Sequence, residues 1–172
     1  MVFSTGCSTP ATTALESPAR ESVDAAPAPR NDSTALLSQQ GQQLPVTAVT
    51  TLGGQEIFLE VAATPQQQSL GLMYREALPD DRGMLFPISP ARPVSFWMKN
   101  VPVPLDMVFI YQGTIRAIAA SVPPCPADPC PTYGPGNQPV DQVIELRAGR
   151  AAELGLAVGD LVAVSPIQPN GE

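Results

Sequence analysis

The chain of 172 residues contains no histidine. That excludes Ser-His-Asp and Cys-His catalysis, histidine general-base chemistry and every metal site that needs an imidazole. Lysine occurs once, at Lys99. No run of about 18 apolar residues exists, so no segment reads as a membrane-spanning helix. Positive charge is also short, with 9 Lys and Arg against 16 Asp and Glu, a formal net charge of −7. Nucleic-acid binding needs a basic stripe to displace counterions, and this balance argues against it. There is no GxSxG nucleophile motif and no internal repeat. Proline, in contrast, is abundant: 21 residues, which disfavours a helical bundle and fits a loop-rich β protein.

Composition divides the chain. Residues 1–44 are rich in Ala, Ser, Thr, Pro and Gln, with no aromatic residue between Phe3 and Phe58. Such a segment buries too little apolar surface to offset its ordering entropy, so a flexible linker is predicted there. Residues 45–167 read as one compact domain, and 168–172 as a short tail. Near the start, Ser4-Thr5-Gly6-Cys7 resembles the lipobox of a bacterial lipoprotein, in which the cysteine is lipidated. This reading places the native start, with its basic and apolar leader, upstream of residue 1. The alternative is that Cys7 is an inert, unpaired thiol.

The other two cysteines lie in Pro123-Pro124-Cys125-Pro126-Ala127-Asp128-Pro129-Cys130-Pro131. Their spacing is neither a thioredoxin-type CxxC nor a zinc knuckle, and the additional metal ligands are missing. A disulfide between Cys125 and Cys130 is expected, contributing about 2 kcal/mol or less for so short a ring. A disulfide implies an oxidising compartment. Together with the lipobox-like motif, this predicts an extracytoplasmic protein that touches a membrane only through a lipid on Cys7.

The rest reads as strands and turns. Val46–Val49 and Glu56–Val61 form a predicted hairpin around Gly53-Gly54. Thr64-Pro65-Gln66-Gln67 carries a helix N-cap, a proline in the first turn and a capping box, and the helix is expected to reach Arg75 or Glu76. Short strands follow at Met84–Phe86 and Val94–Asn100. In the latter, Phe96 and Met98 alternate with Trp97 and Lys99, which predicts a core face and an opposite, partly covered face. Leu105–Tyr111 and Thr114–Ala120 pair about Gln112-Gly113. Gln142–Leu146 is another strand, Ala151–Leu154 a short helix and Leu161–Ser165 a last strand. The fold class is mainly β with one or two short helices, an antiparallel β-sandwich or partly open barrel.

Several motifs together resemble a known family. They are Gly71-Leu72-Met73-Tyr74-Arg75, Arg82-Gly83-Met84-Leu85-Phe86, Phe96-Trp97-Met98-Lys99-Asn100, Pro104–Ile110, Val143–Leu146 and Val158-Gly159-Asp160. The family is the bacterial and archaeal domain of unknown function 192, and the resemblance spans residues 45–166. It implies a compact, mostly β domain, often behind a signal peptide or lipobox, and no established activity. The paired Pro-Cys-Pro excursion resembles a variant seen in some members. Val101 departs from the polar residue that commonly follows the FWMKN core.

The best polar cluster near aromatic residues is Trp97, Lys99, Asn100 and Asp106. A Lys99–Asp106 pair beside the Trp97 ring could bind a small polar ligand or glycan, or could be an internal ion pair. Arg75 and Arg82 flank the turn after the helix and could bind an anion or form surface ion pairs. Asp80, Asp81, Asp106 and Glu145 are the candidates for paired-carboxylate hydrolysis, although turn chemistry explains Asp80-Asp81. Two classes follow. One is a non-catalytic, monomeric cell-envelope module that binds a small polar ligand, a glycan or an envelope protein, without cofactor or metal. The other is a hydrolytic envelope enzyme built on carboxylates and Lys99. Lack of histidine favours the first.

Overall fold

The computed structural model describes residues 41–167; Cys7 and the expected linker and tail lie outside those residues, apart from 41–44. Strands β1 (Val46–Leu52) and β2 (Gln55–Val61) form the expected hairpin. Gly53 and Gly54 turn it with φ of 55° and 77°. A Cβ at Gly53 would also collide with the Leu154 carbonyl oxygen, so glycine is required twice over.

Helix α1 (Pro65–Leu70) begins as its sequence predicts: the Thr64 side chain accepts from the Gln67 backbone N–H, and the Gln67 side chain accepts from the Thr64 N–H. It ends at Gly71, several residues short of Arg75. The reason is local: Gly71 adopts φ 48°, which breaks the helical path, and the next residues turn down onto the sheet so that Leu72 is buried.

The chain then lays down β3 (Arg82–Arg92), β4 (Phe96–Trp97), β5 (Leu105–Tyr111), β6 (Thr114–Val122), β7 (Thr132–Tyr133) and β8 (Val140–Arg147). A short helix α2 (Arg150–Glu153) and β9 (Val164–Pro166) complete it. Seven strands form one sheet in the order β6-β5-β8-β3-β2-β1-β9, and β4 and β7 form a separate pair. The protein is mainly β with two short helices, and the large sheet is not closed into a barrel. Its edges are linked where Thr114 bridges Leu161, ahead of β9. The last strand starts later than expected because Leu161, 83% exposed, only makes that bridge.

All strand pairs in the large sheet are antiparallel except β2–β3, which is parallel. The intervening α1 segment makes this possible, because parallel neighbours need a crossover connection. Strand β3 is longer than its sequence suggests because Pro87 and Pro90 do not end it. β2 pairs only with Arg82–Leu85, so beyond that point one edge of β3 is free of strands. The Pro87 carbonyl meets the Gln68 side chain at 2.7 Å on that edge, and its missing N–H costs no ladder bond.

Alternation along the central strands divides the core between the two sheet faces. Met84, Phe86, Met107, Phe109 and Val143 pack on one side; Leu85, Val108, Ile110, Ile144 and Leu146 pack on the other. The first side is covered by the segment after α1, by β4 and by the Cys125–Cys130 loop, whose disulfide is present. Among the described residues no helix is long and apolar enough to cross a membrane.

Candidate functional site

A cleft of about 270 Å³ opens on the first side of the sheet. Gln68–Met73, the end of α1 and the turn after it, form one wall. Ser95–Trp97 and Lys99 form the other, with Val101 beside them. Phe86 and Ile88 of β3 and Glu145 of β8 lie beneath, and Arg92 stands at the mouth. Phe96 holds the β4 segment in place by edge-to-face contacts with Phe86 and Phe109, at ring separations of 5.1 and 5.9 Å. The turn is clamped from below, since the Tyr74 N–H donates to the Asn100 carbonyl at 2.8 Å.

The alternation read from the FWMKN segment holds. Met98 is 1% exposed and Phe96 packs on the core, whereas Trp97 is 48% exposed and Lys99 half-exposed. Both Trp97 and Lys99 line the cleft. The regular strand predicted over Val94–Asn100 shrinks to Phe96–Trp97, which pairs with Tyr133 and Thr132, because Asn100 takes φ 57° and turns the chain.

Lys99 does not pair with Asp106. Its ammonium lies 2.8 Å from Asp128, inside the disulfide ring, and 5.7 Å from the centre of the Trp97 ring. Asp106 is fully buried on the other face of the sheet. Its carboxylate accepts from the backbone N–H groups of Ser121 (2.6 Å), Gly149 (3.1 Å) and Ala151 (2.8 Å). Since Gly149 has no side chain to cap α2, Asp106 supplies that cap from β5. Its role is to dock α2 and the irregular end of β6 onto the sheet.

The remaining candidates disperse. Arg75 is buried against Glu60 at 2.6 Å, and Glu60 also accepts from the Leu44 N–H. Arg82 lies beside Asp81 and over the Phe58 ring. Asn100 is exposed at its turn, its amide near the Met73 sulfur. Asp80 is engaged by Arg147, which holds its carboxyl below the ordinary range. Asp106 and Glu145 face opposite sides of the sheet, Asp106 opposite Leu146 and Glu145 opposite Met107 in the β5–β8 ladder. The paired carboxylates of a glycosidase are therefore not assembled from these four residues.

Glu145 emerges instead as the distinctive group of the cleft. It is 5% exposed and sits on the face of Met84, Met107 and Val143. Desolvation alone pushes its carboxyl up to about 8, with no hydrogen bond or nearby charge contributing. Burial thus favours its protonated form. The sequence carried a signal for this: Val143, Ile144 and Leu146 are apolar on both parities, which marks a strand buried on both faces and hence a buried acid at Glu145.

Comparison with known proteins places the chain in a family. The model of the DUF192 family, described as "Uncharacterized ACR", matches residues 48–164, and the protein belongs to that family. Two solved structures are similar. A protein of unknown function from Novosphingobium aromaticivorans is 32% identical, with a TM-score of 0.61, covering 68% of this chain and 83% of its own. A candidate transcription regulator from Sinorhizobium meliloti is 35% identical, also with a TM-score of 0.61, covering 72% of this chain and 98% of its own. A search of curated proteins found no match.

Proposed function

We propose that the protein is a non-catalytic cell-envelope module that binds a small polar ligand in the cleft between α1 and β4. The observation that supports this most directly is the combination of a walled cleft with an unpaired acid inside it. Binding pockets are typically apolar with a few placed polar groups, and a strongly shifted acid in a cleft marks a functional candidate. At about 270 Å³ the space suits a small molecule rather than a polymer or a protein surface. Hydrolysis by paired carboxylates lacks its second acid. The regulatory name of the Sinorhizobium relative does not extend to DNA contact here, because the chain carries a net charge of −7. An envelope location is supported by the Cys125–Cys130 disulfide and the lipobox-like approach to Cys7.

Trp97 is the only tryptophan and lines the cleft, so its fluorescence reports occupancy directly. A library of small polar compounds is expected to contain members that shift Trp97 emission and raise the melting temperature. Ser95→Phe, which fills the cleft from its wall, is expected to abolish both responses while still folding. Equal responses from the filled variant, or none from the native chain, would overturn the assignment. In cells the protein is expected in the envelope fraction, released by Cys7→Ser; cytosolic protein with free Cys125 and Cys130 thiols would reject the location.

A further inference from the structure

Resting on the cleft's role as a ligand site, we propose that its ligand carries an ammonium group and that Glu145 is the anchor that receives it. Three observations converge on this. Glu145 is more than nine-tenths buried and lies in the cleft lining, so a ligand that fills the cleft reaches its carboxyl. Among the described residues no cation pairs with it: Arg75 serves Glu60, Arg147 and Arg150 serve Glu153, Lys99 serves Asp128 and Arg82 lies by Asp81. The surroundings are those a cation favours, with the Phe86, Phe96 and Trp97 rings lining the same space.

The chemistry follows from the low polarity of the site. A buried acid without a partner is held neutral, and an entering ammonium reverses that balance. The carboxyl loses its proton to solvent and the carboxylate pairs with the ligand cation, in a medium where such attraction is far stronger than in water. The mouth does not oppose this. Lys99 is neutralised by Asp128, and Arg92 is exposed, where solvent and salt screen its repulsion. A neutral amide can only share hydrogen bonds with the acid, and a carboxylate ligand would suppress its ionisation.

Three probes of one chain length separate these cases: n-butylammonium, butyramide and butyrate, titrated against the intact protein at pH 7 with Trp97 emission and calorimetry as readouts. The expected result is that butylammonium binds at least tenfold more tightly than butyramide or butyrate. Its binding should release close to one proton, seen as a dependence of the heat on buffer ionisation. Glu145→Gln, and Glu145→Met as a second variant suited to the neighbouring Met84 and Met107, should each remove that preference and the proton release. Butyramide or butyrate binding as well as butylammonium, or an unchanged preference in the folded variants, overturns the ammonium assignment while the cleft stands as a ligand site. Failure of all three probes to bind overturns the ammonium assignment too. Whether the cleft itself fails is then read separately from the library screen and Ser95→Phe.

Discussion

Two buried carboxyl groups, Asp106 on β5 and Glu145 on β8, sit on neighbouring strands one register step apart, yet they face opposite sides of the sheet. Asp106 accepts from three backbone N–H donors on two segments, the end of β6 and the start of α2. Glu145 has no such donors and opens on a cleft. The chemistry of the two groups is the same, and their settings assign different work. An acid with both oxygens engaged by backbone donors holds a fold together. An acid without protein partners at the floor of a cleft is available to whatever enters it.

The sharpest way to break the comparison is to remove each acid. Asp106→Ala would leave three N–H groups without their acceptor, two of them at the start of α2 and the one at Ala151 buried. The expected loss is on the order of 4 kcal/mol, measured by denaturant unfolding. A loss below about 1 kcal/mol would mean that α2 docks without this cap and that Asp106 is not the structural member of the pair.

The next largest effect tests the two walls of the cleft side. Phe96 packs by its edge against Phe86 and Phe109, whereas Trp97, one residue on, is half-exposed. Phe96→Ala is expected to cost about 3 kcal/mol, the lower end for aromatic truncation, since Phe96 is not fully enclosed. Trp97→Ala is expected to stay under about 1 kcal/mol, as exposed substitutions do. Comparable losses would make both residues core and remove the aromatic wall from the binding site.

Much of this contrast was legible beforehand, and the part that was not has a physical cause. Strict alternation separated Phe96 and Met98 from Trp97 and Lys99, because side-chain direction in an extended segment depends only on parity. The capping box at Thr64–Gln67 placed the start of α1, because capping is local. The partner of Lys99 was not local. It depends on the Cys125–Cys130 ring bringing Asp128 to Lys99 from 29 residues away in sequence, and no pattern near Lys99 records that. In sequence, Asp106 reads as a site residue because it is polar near aromatic residues. Its true partners are backbone groups, which have no sequence signature. The parallel β2–β3 pairing escaped for a similar reason: α1 has a helix signature, but a crossover is a property of where the helix lies. Glu145 was legible only in part. Its burial follows from the apolar residues around it, but its isolation depends on where every arginine goes.

The most discriminating effect is the pH dependence that Glu145 imposes. Its carboxyl titrates near the ordinary 4.5 in the unfolded chain and at about 8 in the fold. Between these values the folded state holds a proton that the unfolded state has lost. Stability therefore falls as pH rises through this window, by about 1.4 kcal/mol per unit at most, and levels off above about 8. Asp80 and Glu153 act in the opposite sense: Arg147 depresses both, so their contribution is lost as pH falls below the ordinary carboxylate range. The two trends occupy different windows, and Glu145→Gln isolates the first. The variant is expected to match the native chain near pH 4.5 and to exceed it in stability progressively up to about pH 8. Chemical denaturation at half-unit intervals would show this as a widening gap. Parallel curves for the two proteins across pH 5 to 8 would mean that Glu145 is ionised in the fold at neutral pH, already satisfied like Asp106, and the difference between the two acids would disappear.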